Sequence, residues 1–302
     1  MGKKFLKYFL ISLTAFLSVN YSLSQGKISF IIFGDYGRDG KYNQREVAEQ
    51  MGIYGEKLKI SFVITTGDNF YPDGVYTTED EQWKTSFENI YTAPSLYKRW
   101  YVTLGNHDYR RNPKAEIDYT KKSERWYMPA RYYSEIIKID DTAAVLFLFI
   151  DTSPFVKSYY SGGHGDVAEQ NSEKQLMWID STLSSAKTKW KLIVGHHPVI
   201  TGGEHGNTKE LIESLKPLLE KNKVNAYFCG HDHDMQHLKD EGVHYFVSGA
   251  GSATRTCKDT EYTLFQKGET SGFLAVTLSS AELEATFVDY QGNELYKTTI
   301  NK

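Results

Sequence analysis

The sequence predicts an α/β fold of alternating strands and helices that ends in an antiparallel meander. From residue 27 onward, short runs of β-branched and aromatic residues alternate with segments of helical periodicity, a pattern typical of layered α/β proteins with parallel strands. After residue 272 the pattern changes to three strand-like runs, FLAVTLS, ELEATFVDY and ELYKTTI, separated by turn residues. These runs are expected to complete the same domain.

Each element of this fold has its own pattern in the sequence. Short apolar runs predict strands at 28–33, 59–65, 100–103, 144–150, 192–194, 226–229 and 245–248. Apolar residues spaced with the period of a helix predict helices at 44–53, 79–89, 172–184 and 208–222. In a parallel sheet the carboxyl ends of the strands lie along one edge, where open α/β folds bind ligands.

The size of the chain is compatible with a single domain. The sequence has 302 residues, of which 40% are hydrophobic, enough for a sizeable core in one large domain or two smaller ones. Residues 26–302 contain no repeat, no low-complexity tract and no linker rich in Pro, Gly or Ser. One domain over 26–302 is therefore predicted.

The first 25 residues have the pattern of a secretory signal peptide. Three lysines precede an apolar run at 8–19, and small residues at 22–24 provide a cleavage site. A membrane anchor is the alternative, but this run is shorter than the roughly 20 residues that a span requires. We expect a secreted or periplasmic mature protein, free of the membrane and starting near residue 25 or 26.

The charge of the chain argues against a nucleic-acid partner. The formal net charge is −3, and residues 1–25 contain three lysines and no acidic residue, so the rest of the chain has a charge of −6. Nucleic-acid-binding surfaces are basic, so no such partner is expected. An anionic ligand would need local cations, because the overall field does not attract it.

The two cysteines are too few for a disulfide framework, although secretion would permit a bridge. Cys229 ends the apolar run NAYFC and is expected to be a small buried core residue. A bridge from Cys229 to Cys257 is the alternative.

Five glycine-containing motifs follow predicted strands and contain potential metal ligands. A single motif of this kind is usually a turn or a helix cap, but five at the ends of strands favour a metal site. The residues and motifs are Asp35 in GDYG, Asp68 and Tyr71 in GDNFY, Asn106 and His107 in GNHD, His196 in GHHP, and His231 and His233 in GHDH.

The types of donor indicate the class of metal. Carboxylates, an amide and imidazoles without cysteine suit iron, zinc or manganese rather than a thiolate site. The donors are too many for one ion with open positions. Two ions bridged by one carboxylate would share them, and such two-metal sites stabilise both the attacking and the leaving oxygen in phosphoryl transfer.

In this order the motifs resemble those of the metallophosphoesterase superfamily, and more narrowly those of the small, tartrate-resistant mammalian type of purple acid phosphatase. The resemblance runs from about residue 27 to the C-terminus and includes HHPVITGGEHG, CGHDHDMQHL and VSGAG. Gly37, where most of the superfamily has a histidine, and Tyr71 mark the purple subgroup. The resemblance implies a four-layer α/β/β/α sandwich with mixed sheets and a C-terminal antiparallel meander.

The resemblance also implies a set of metal ligands. Asp35, Tyr71 and His233 are expected to bind Fe(III), and Asp68 is expected to bridge the two metals. Tyr71 would act as a phenolate, a hard charged donor that favours Fe(III). The alternative is a tyrosine ring that only packs over its loop.

A second, divalent ion is implied on the other side of Asp68. It is iron, zinc or manganese in the family, and its expected ligands are Asn106, His196 and His231. His196 is preferred because it directly follows a glycine, as in the Gly-His-x-Pro pattern of the family. A different alignment, counted from Val194, would select His197.

Two histidines are expected to act on the substrate. His107 should stabilise the phosphate oxyanion or protonate the leaving alkoxide, and Asp108 either orients it or lies in a surface turn. His205 in GGEHG matches a second substrate-side histidine of the mammalian-type enzymes. The implied reaction is in-line attack on phosphorus by a hydroxide bound to Fe(III).

The stretch 155–172 is rich in Gly and Ser and corresponds to an exposed loop that covers the site in mammalian-type relatives. Two interpretations stay open for it. It is either a lid that brings His164 towards the substrate or an ordinary surface loop.

A secreted acid phosphatase that acts on small phosphomonoesters or a phosphoprotein is the leading hypothesis, with a monomer as the expected state. A phosphodiesterase or nucleotide pyrophosphatase with the same metals is the alternative among enzymes. A phosphodiester has a second substituent, so the openness of the pocket decides between the two activities, and the loops at 73–78 and 155–167 would shape it. A non-catalytic binding or iron-redox protein is the alternative from another class. The presence of every expected ligand and of His107 argues against it.

Overall fold

Two seven-stranded sheets form the centre of the computed structural model. The model describes residues 26–302, and the predicted signal peptide at 1–25 lies outside the described residues. The strands of the first sheet are β1 (Lys27–Phe33), β2 (Phe62–Thr65), β3 (Arg99–Val102), β4 (Trp126–Tyr127), β12 (Gly272–Ser279), β13 (Glu282–Asp289) and β14 (Glu294–Asn301). The strands of the second sheet are β5 (Tyr133–Lys138), β6 (Ala144–Phe149), β7 (Trp190–Val194), β8 (Ala226–Cys229), β9 (Met235–Asp240), β10 (Val243–Ser248) and β11 (Thr263–Lys267).

Both sheets are mixed. The first has the order β14-β13-β12-β1-β2-β3-β4, with β1 to β4 parallel and β12 to β14 antiparallel. The second has the order β11-β9-β10-β8-β7-β6-β5, with four parallel strands, β10, β8, β7 and β6, flanked by antiparallel edges. The predicted parallel strands and the antiparallel C-terminal meander are confirmed.

Helices cover the outer faces of the two sheets. Helix α1 (Gln44–Leu58) packs on β1 and β12 of the first sheet. Helices α3 (Ser172–Ser185), α4 (Lys209–Ser214) and α5 (Lys216–Lys221) share a buried apolar cluster with the second sheet. The short helix α2 (Pro113–Tyr119) follows β3. The layers run α/β/β/α, as the resemblance implied.

Alternate residues of strand β6 face different layers of the fold. Val145, Phe147 and Phe149 lie in the core between the sheets, whereas Leu146 and Leu148 lie in the cluster that contacts the helices. This is the period-2 alternation of a strand that is buried on both faces.

Aromatic rings join the two sheets. The ring of Phe147 in the second sheet lies edge-on to Phe30 and Phe62 of the first sheet, with centroids 5.5 and 5.8 Å apart. Tyr101 and Phe149 stack across the same interface at 5.4 Å. Such pairs add to the free energy of burial, so the interface fixes the relative position of the sheets.

Two of the predicted helices differ from the structure. The segment 79–89 contains only a π-helical stretch, Trp83–Glu88. Trp83 is buried there and stacks on Tyr119 at 3.5 Å, so aromatic packing determines the local conformation.

The segment 208–222 is divided into α4 and α5 at Leu215. Pro217 has no backbone N–H and cannot continue the hydrogen bonds of a preceding helix.

Four strands were not predicted from the sequence: β4, β5, β9 and β11. β9 has the sequence MQHLKD, which lacks the β-branched run used to identify strands. It forms because it pairs with β10 in an antiparallel hairpin, so tertiary context decides its conformation.

Both cysteines are free thiols. Cys229 is buried in strand β8, which confirms that it is a core residue, and Cys257 is partly buried. Of the helices within residues 26–302, none has the length and apolar character needed to cross a bilayer.

A pair of hydrogen-bonded histidines, His237 buried and His244 partly buried, makes stability depend on pH. His237 Nε2 lies 2.8 Å from His244 Nδ1, and His237 Nδ1 lies 3.0 Å from the hydroxyl of Tyr296. Burial, mainly, lowers the pKa of His237 to about 3 and that of His244 to about 4. Both are therefore neutral in the folded protein at pH values where an unfolded histidine, with a pKa of about 6.5, is protonated.

Below pH 6.5 the unfolded chain takes up protons on these histidines and the folded protein does not. Their contribution to the free energy of unfolding is therefore complete above pH 6.5 and is lost as the pH falls towards their folded pKa values. We expect the free energy of unfolding of a His244→Gln variant to fall less steeply between pH 6.5 and 4 than that of the wild type. Urea unfolding at several pH values measures this. Parallel pH profiles for the two proteins would contradict it.

Candidate metal centre

The predicted ligands lie in five loops that follow β1, β2, β3, β7 and β8. Three of these residues have left-handed backbone conformations, Asp35 (φ 60°), Asp68 (φ 51°) and His231 (φ 70°). A non-glycine residue in this region is strained by an amount on the order of 1 kcal/mol, and such strain concentrates at functional sites. The backbone is therefore shaped for the positions of these side chains.

A glycine allows two of the loops to approach each other. A Cβ atom on Gly105 would lie 2.2 Å from both the backbone nitrogen and Oδ1 of Asp68. Only a residue without a side chain can occupy this position, which places Asn106 beside Asp68.

One group of donors surrounds the phenol of Tyr71. The Tyr71 hydroxyl lies 3.0 Å from Asp35 Oδ1, 2.9 Å from Asp68 Oδ2 and 3.1 Å from His233 Nε2. All four residues are buried. We call this group the tyrosine cluster (Asp35, Asp68, Tyr71 and His233).

A second group of donors surrounds Nε2 of His196. This atom lies 3.1 Å from Asn106 Oδ1, 3.2 Å from His231 Nδ1 and 3.5 Å from Asp68 Oδ1. His196 Nδ1 is 2.9 Å from the carbonyl oxygen of Thr66, so Nδ1 is the donor and Nε2 has its lone pair free for a metal. We call this group the histidine cluster (Asp68, Asn106, His196 and His231).

Asp68 belongs to both clusters. Its Oδ2 faces the tyrosine cluster and its Oδ1 faces the histidine cluster. Ligand atoms at about 2.0–2.2 Å from one ion lie roughly 3 Å from each other, which is close to the spacings in each cluster. The two donor sets therefore fit two ions that share the carboxylate of Asp68.

The charges of the tyrosine cluster also fit cations. Burial, together with the charge of Asp68, raises the pKa of Asp35 well above its usual value. Burial and the two carboxylates likewise raise the pKa of Tyr71. Acidic oxygens crowded in a buried site repel each other, and a bound cation would relieve this repulsion.

The imidazoles of the histidine cluster are kept neutral. Burial lowers the pKa of His196 and, more strongly, that of His231. Burial raises the pKa of Asp68, but attraction to the His196 and His107 imidazoles when they are protonated, together with hydrogen bonds from the His107 backbone N–H and the Tyr71 hydroxyl, outweighs it and brings the pKa to about 2. Neutral imidazoles and an ionised carboxylate are the forms that bind metals.

His107 lies at the mouth of the centre. Its backbone N–H donates to Asp68 Oδ1 at 2.8 Å, and its ring lies 4.4 Å from that of Tyr71. Nδ1 is hydrogen-bonded to the carbonyl of Pro72, and Nε2 is 3.9 Å from Asp68 Oδ2. Its side chain is 21% exposed, so a ligand entering from solvent would meet it.

Asp108 has neither of the roles considered for it. It is buried and accepts hydrogen bonds from the backbone N–H groups of Asn69, Phe70 and Gly105, at 2.9, 3.2 and 2.8 Å. It therefore holds the Asp68 loop against the Asn106 loop instead of orienting His107 or forming a surface turn.

His205 lies beside the histidine cluster. Its ring is 4.2 Å from that of His231, and its Nδ1 is 2.9 Å from Asp232 Oδ1. Asp232 is buried and also accepts a 2.7 Å hydrogen bond from the Thr201 hydroxyl. Asp232 lies between the two histidines of GHDH, but no role was predicted for it from the sequence.

Both ring nitrogens of His197 have hydrogen-bond partners outside the histidine cluster. Its Nδ1 lies 2.8 Å from the Thr152 hydroxyl and its Nε2 lies 2.9 Å from the Tyr159 hydroxyl. His197 can still form an alternative metal-binding group with His196 and His231, since ligand atoms of all three lie within 4.8 Å of one another. The free lone pair of His196 and its closeness to Asp68 favour His196 as the ligand.

The loop 155–172 reaches this site through Tyr159, which bonds to His197. His164 stacks on Tyr159 with ring centroids 3.9 Å apart. The loop forms short 3₁₀ segments at Lys157–Ser161 and Val167–Glu169. It lies beside the centre, and its role as a lid stays a prediction.

Comparison with known proteins agrees with this geometry. Residues 28–235 match the family model described as calcineurin-like phosphoesterase. Purple acid phosphatase 17 of Arabidopsis thaliana is 39% identical over 296 residues, which cover 92% of this chain and 86% of that protein. The chain belongs to the purple acid phosphatase family. Tartrate-resistant acid phosphatase type 5 of Homo sapiens is 36% identical over 279 residues, covering 85% of this chain and 83% of that protein.

Solved structures show the same fold as this chain. A structure described as "GAP50 the anchor in the inner membrane complex of Plasmodium" has a TM-score of 0.81 and 25% identity, covering 92% of this chain and 89% of that one. Purple acid phosphatase PPD1 from yellow lupin has a TM-score of 0.67 and 17% identity, covering 92% of this chain and 55% of that one. These comparisons confirm the predicted family and fold, and the family implies a dinuclear metal centre.

The shared carboxylate leads to a prediction about metal content. We expect about two ions per wild-type chain, about one in His233→Ala and in His231→Ala, and almost none in Asp68→Ala. Inductively coupled plasma mass spectrometry after gel filtration measures these values. His244→Gln, far from the centre, is the control and should keep two ions. Equal metal content in all three ligand variants would contradict the two-cluster description.

Proposed function

We propose that the protein is a secreted acid phosphatase that hydrolyses phosphomonoesters with Fe(III) in the tyrosine cluster and divalent iron, zinc or manganese in the histidine cluster. The observation that supports this most directly is the position of Asp68 between two donor sets of different charge. The tyrosine cluster offers two carboxylates and a phenol around one point. The histidine cluster offers one carboxylate with an amide and two imidazoles.

The difference in charge is the reason for this assignment of metals. With Tyr71 ionised, the tyrosine cluster contributes up to three negative charges, which suits a trivalent ion. The histidine cluster contributes only the charge of Asp68, which suits a divalent ion. When bound, the two ions supply the Lewis acidity that polarises the phosphate and acidifies water.

The side chains at the rim orient the substrate. The hydrogen bond to Pro72 holds the His107 ring so that Nε2 faces the centre. His205 is held in the same way by Asp232. From these positions the two imidazoles can bind phosphate oxygens and give a proton to the leaving alkoxide.

The secreted location is part of the proposal. Its support is the signal-like sequence of residues 1–25, and secretion would place the enzyme outside the cytoplasm with a mature start near residue 25 or 26. Small phosphate esters or a phosphoprotein are the proposed substrates, and a monomer is the proposed state.

The likeness to GAP50, described as an anchor, favours a second candidate, a non-catalytic protein with this fold. Against it, both donor clusters and His107 are assembled in this chain. Protein that contains two metals and hydrolyses no phosphate ester between pH 4 and 8 would favour the second candidate.

Loss of His107 should separate catalysis from metal binding. In His107→Ala we expect kcat to fall by about 10²- to 10⁴-fold, the range for a general acid or base, with the metal content unchanged. Steady-state kinetics and metal analysis of the same preparation test this, with His244→Gln as the control. Equal loss of metal and turnover would instead identify His107 as a ligand or a structural residue.

The ester preference distinguishes the monoesterase from the phosphodiesterase and pyrophosphatase alternatives. We expect a higher kcat/KM for p-nitrophenyl phosphate than for bis(p-nitrophenyl) phosphate, because the two-metal site favours the more highly charged monoester. Release of nitrophenol from each compound measures both values. A higher value for the bis ester, or for a nucleotide pyrophosphate, would replace the proposed activity.

A further inference from the structure

Arg38 places a positive charge on the face of the Tyr71 ring. Its Cζ lies 3.5 Å from the ring centroid. The other contacts of this type within residues 26–302 are longer, at 4.0–5.7 Å. A guanidinium so close to an aromatic face interacts strongly with its π electrons. Tyr71 is also the proposed phenolate ligand of the iron.

The position of Arg38 is fixed by buried groups. Its Nε donates to the Ser252 hydroxyl at 3.2 Å, and that hydroxyl donates to the carbonyl oxygen of Asp35 at 2.6 Å. The backbone N–H of Arg38 donates to Gln44 Oε1 at 3.0 Å. Ser252 and Gln44 are fully buried. The guanidinium is therefore fixed to the same loop as Asp35 and is not a mobile surface group.

Arg38 forms no salt bridge with a carboxylate of residues 26–302, unlike other arginines near the site. Its guanidinium donates to the Ser252 hydroxyl and lies against the rings of Tyr71 and Tyr42. By contrast, Arg111 pairs with Asp73 at 3.2 Å and Arg255 with Glu204 at 3.6 Å. The charge of Arg38 therefore acts on the Tyr71 ring that it covers and also on Asp35, another residue of the tyrosine cluster.

We propose that Arg38 is a positioning residue that weakens the donor strength of Tyr71 and thereby raises the reduction potential of the iron that Tyr71 binds. The inference rests on the proposed function, in which Tyr71 ligates Fe(III). A cation over the ring stabilises the negative charge of a phenolate, so less of that charge is donated to iron. Weaker donation stabilises Fe(III) less relative to Fe(II), and it moves the tyrosine-to-iron charge-transfer band to higher energy.

The positive charge of Arg38 offsets part of the negative charge of the tyrosine cluster. Two carboxylates and a phenolate together stabilise the trivalent ion strongly, and such a site would be difficult to reduce. A fixed positive charge on one ligand lowers this stabilisation without occupying a coordination position. Arg38 thus adjusts the iron from outside its ligand set.

The test compares iron-loaded wild-type enzyme with Arg38→Gln and Arg38→Met, which remove the charge, and Arg38→Lys, which keeps it. The visible spectrum and a spectroelectrochemical titration are the two readouts. We expect both neutral variants to absorb at longer wavelength and to have a lower reduction potential, with Arg38→Lys in between. Arg255→Gln is the matched control, because it removes an arginine near the site that does not cover Tyr71, and its spectrum should match the wild type.

The outcomes separate this proposal from the proposed function. A coloured wild type with unshifted bands in the neutral variants would overturn the role of Arg38 and leave the phosphatase assignment intact. Loss of iron from both neutral variants would make Arg38 a structural requirement, which also overturns the tuning role. An iron-containing but colourless wild type would overturn both proposals, since Tyr71 would then not bind the iron.

Discussion

The geometry of the site depends on the carboxylate of Asp68, whose two oxygens belong to different donor clusters. Asp68 presents Oδ2 to the phenol of Tyr71 and Oδ1 to the imidazole of His196, and it is buried. Much of the surrounding structure supports this position. The left-handed backbone of Asp68, the missing side chain at Gly105 and the three backbone hydrogen bonds to Asp108 all hold the loop that contains it. Cations compensate best for so much negative charge in a buried site.

The two sheets contribute different halves of the centre. Asp35, Asp68 and Asn106 follow strands of the first sheet, and His196, His231 and His233 follow strands of the second. The metal centre therefore lies where the two sheets meet, and the aromatic interface between them sets the distance between carboxylates and imidazoles. Each of the two clusters takes donors from both sheets, so the donors of one cluster stay together only if the sheets keep their spacing.

The sequence predicted the parts of the molecule that follow from local pattern. Apolar runs predicted the central strands. The glycine motifs behind them predicted that Asp35, Asp68, His196 and the other proposed ligands lie together, because parallel strands must end at a common edge. It did not predict β9, whose polar sequence becomes a strand only through pairing with β10. It also missed the π-helical stretch around Trp83, which depends on contact with the distant Tyr119.

Residue roles that depend on contacts between segments distant in the sequence were likewise not predicted. Asp108 and Asp232 are adjacent to predicted site residues, yet Asp108 binds backbone groups of the Asp68 loop and Asp232 binds His205 in another loop. Arg38 follows the first motif, and nothing in its local sequence shows that it covers Tyr71. These contacts arise only when the loops of both sheets come together.

Anomalous X-ray diffraction from crystals of the metal-loaded enzyme tests the central claim most directly, because it locates each ion independently of the protein atoms. We expect two peaks on opposite sides of Asp68. One should lie within bonding distance of Oδ2 and the Tyr71 oxygen, and the other within bonding distance of Oδ1 and His196 Nε2. A single peak, or a second ion bound by His197 without Asp68, would contradict it.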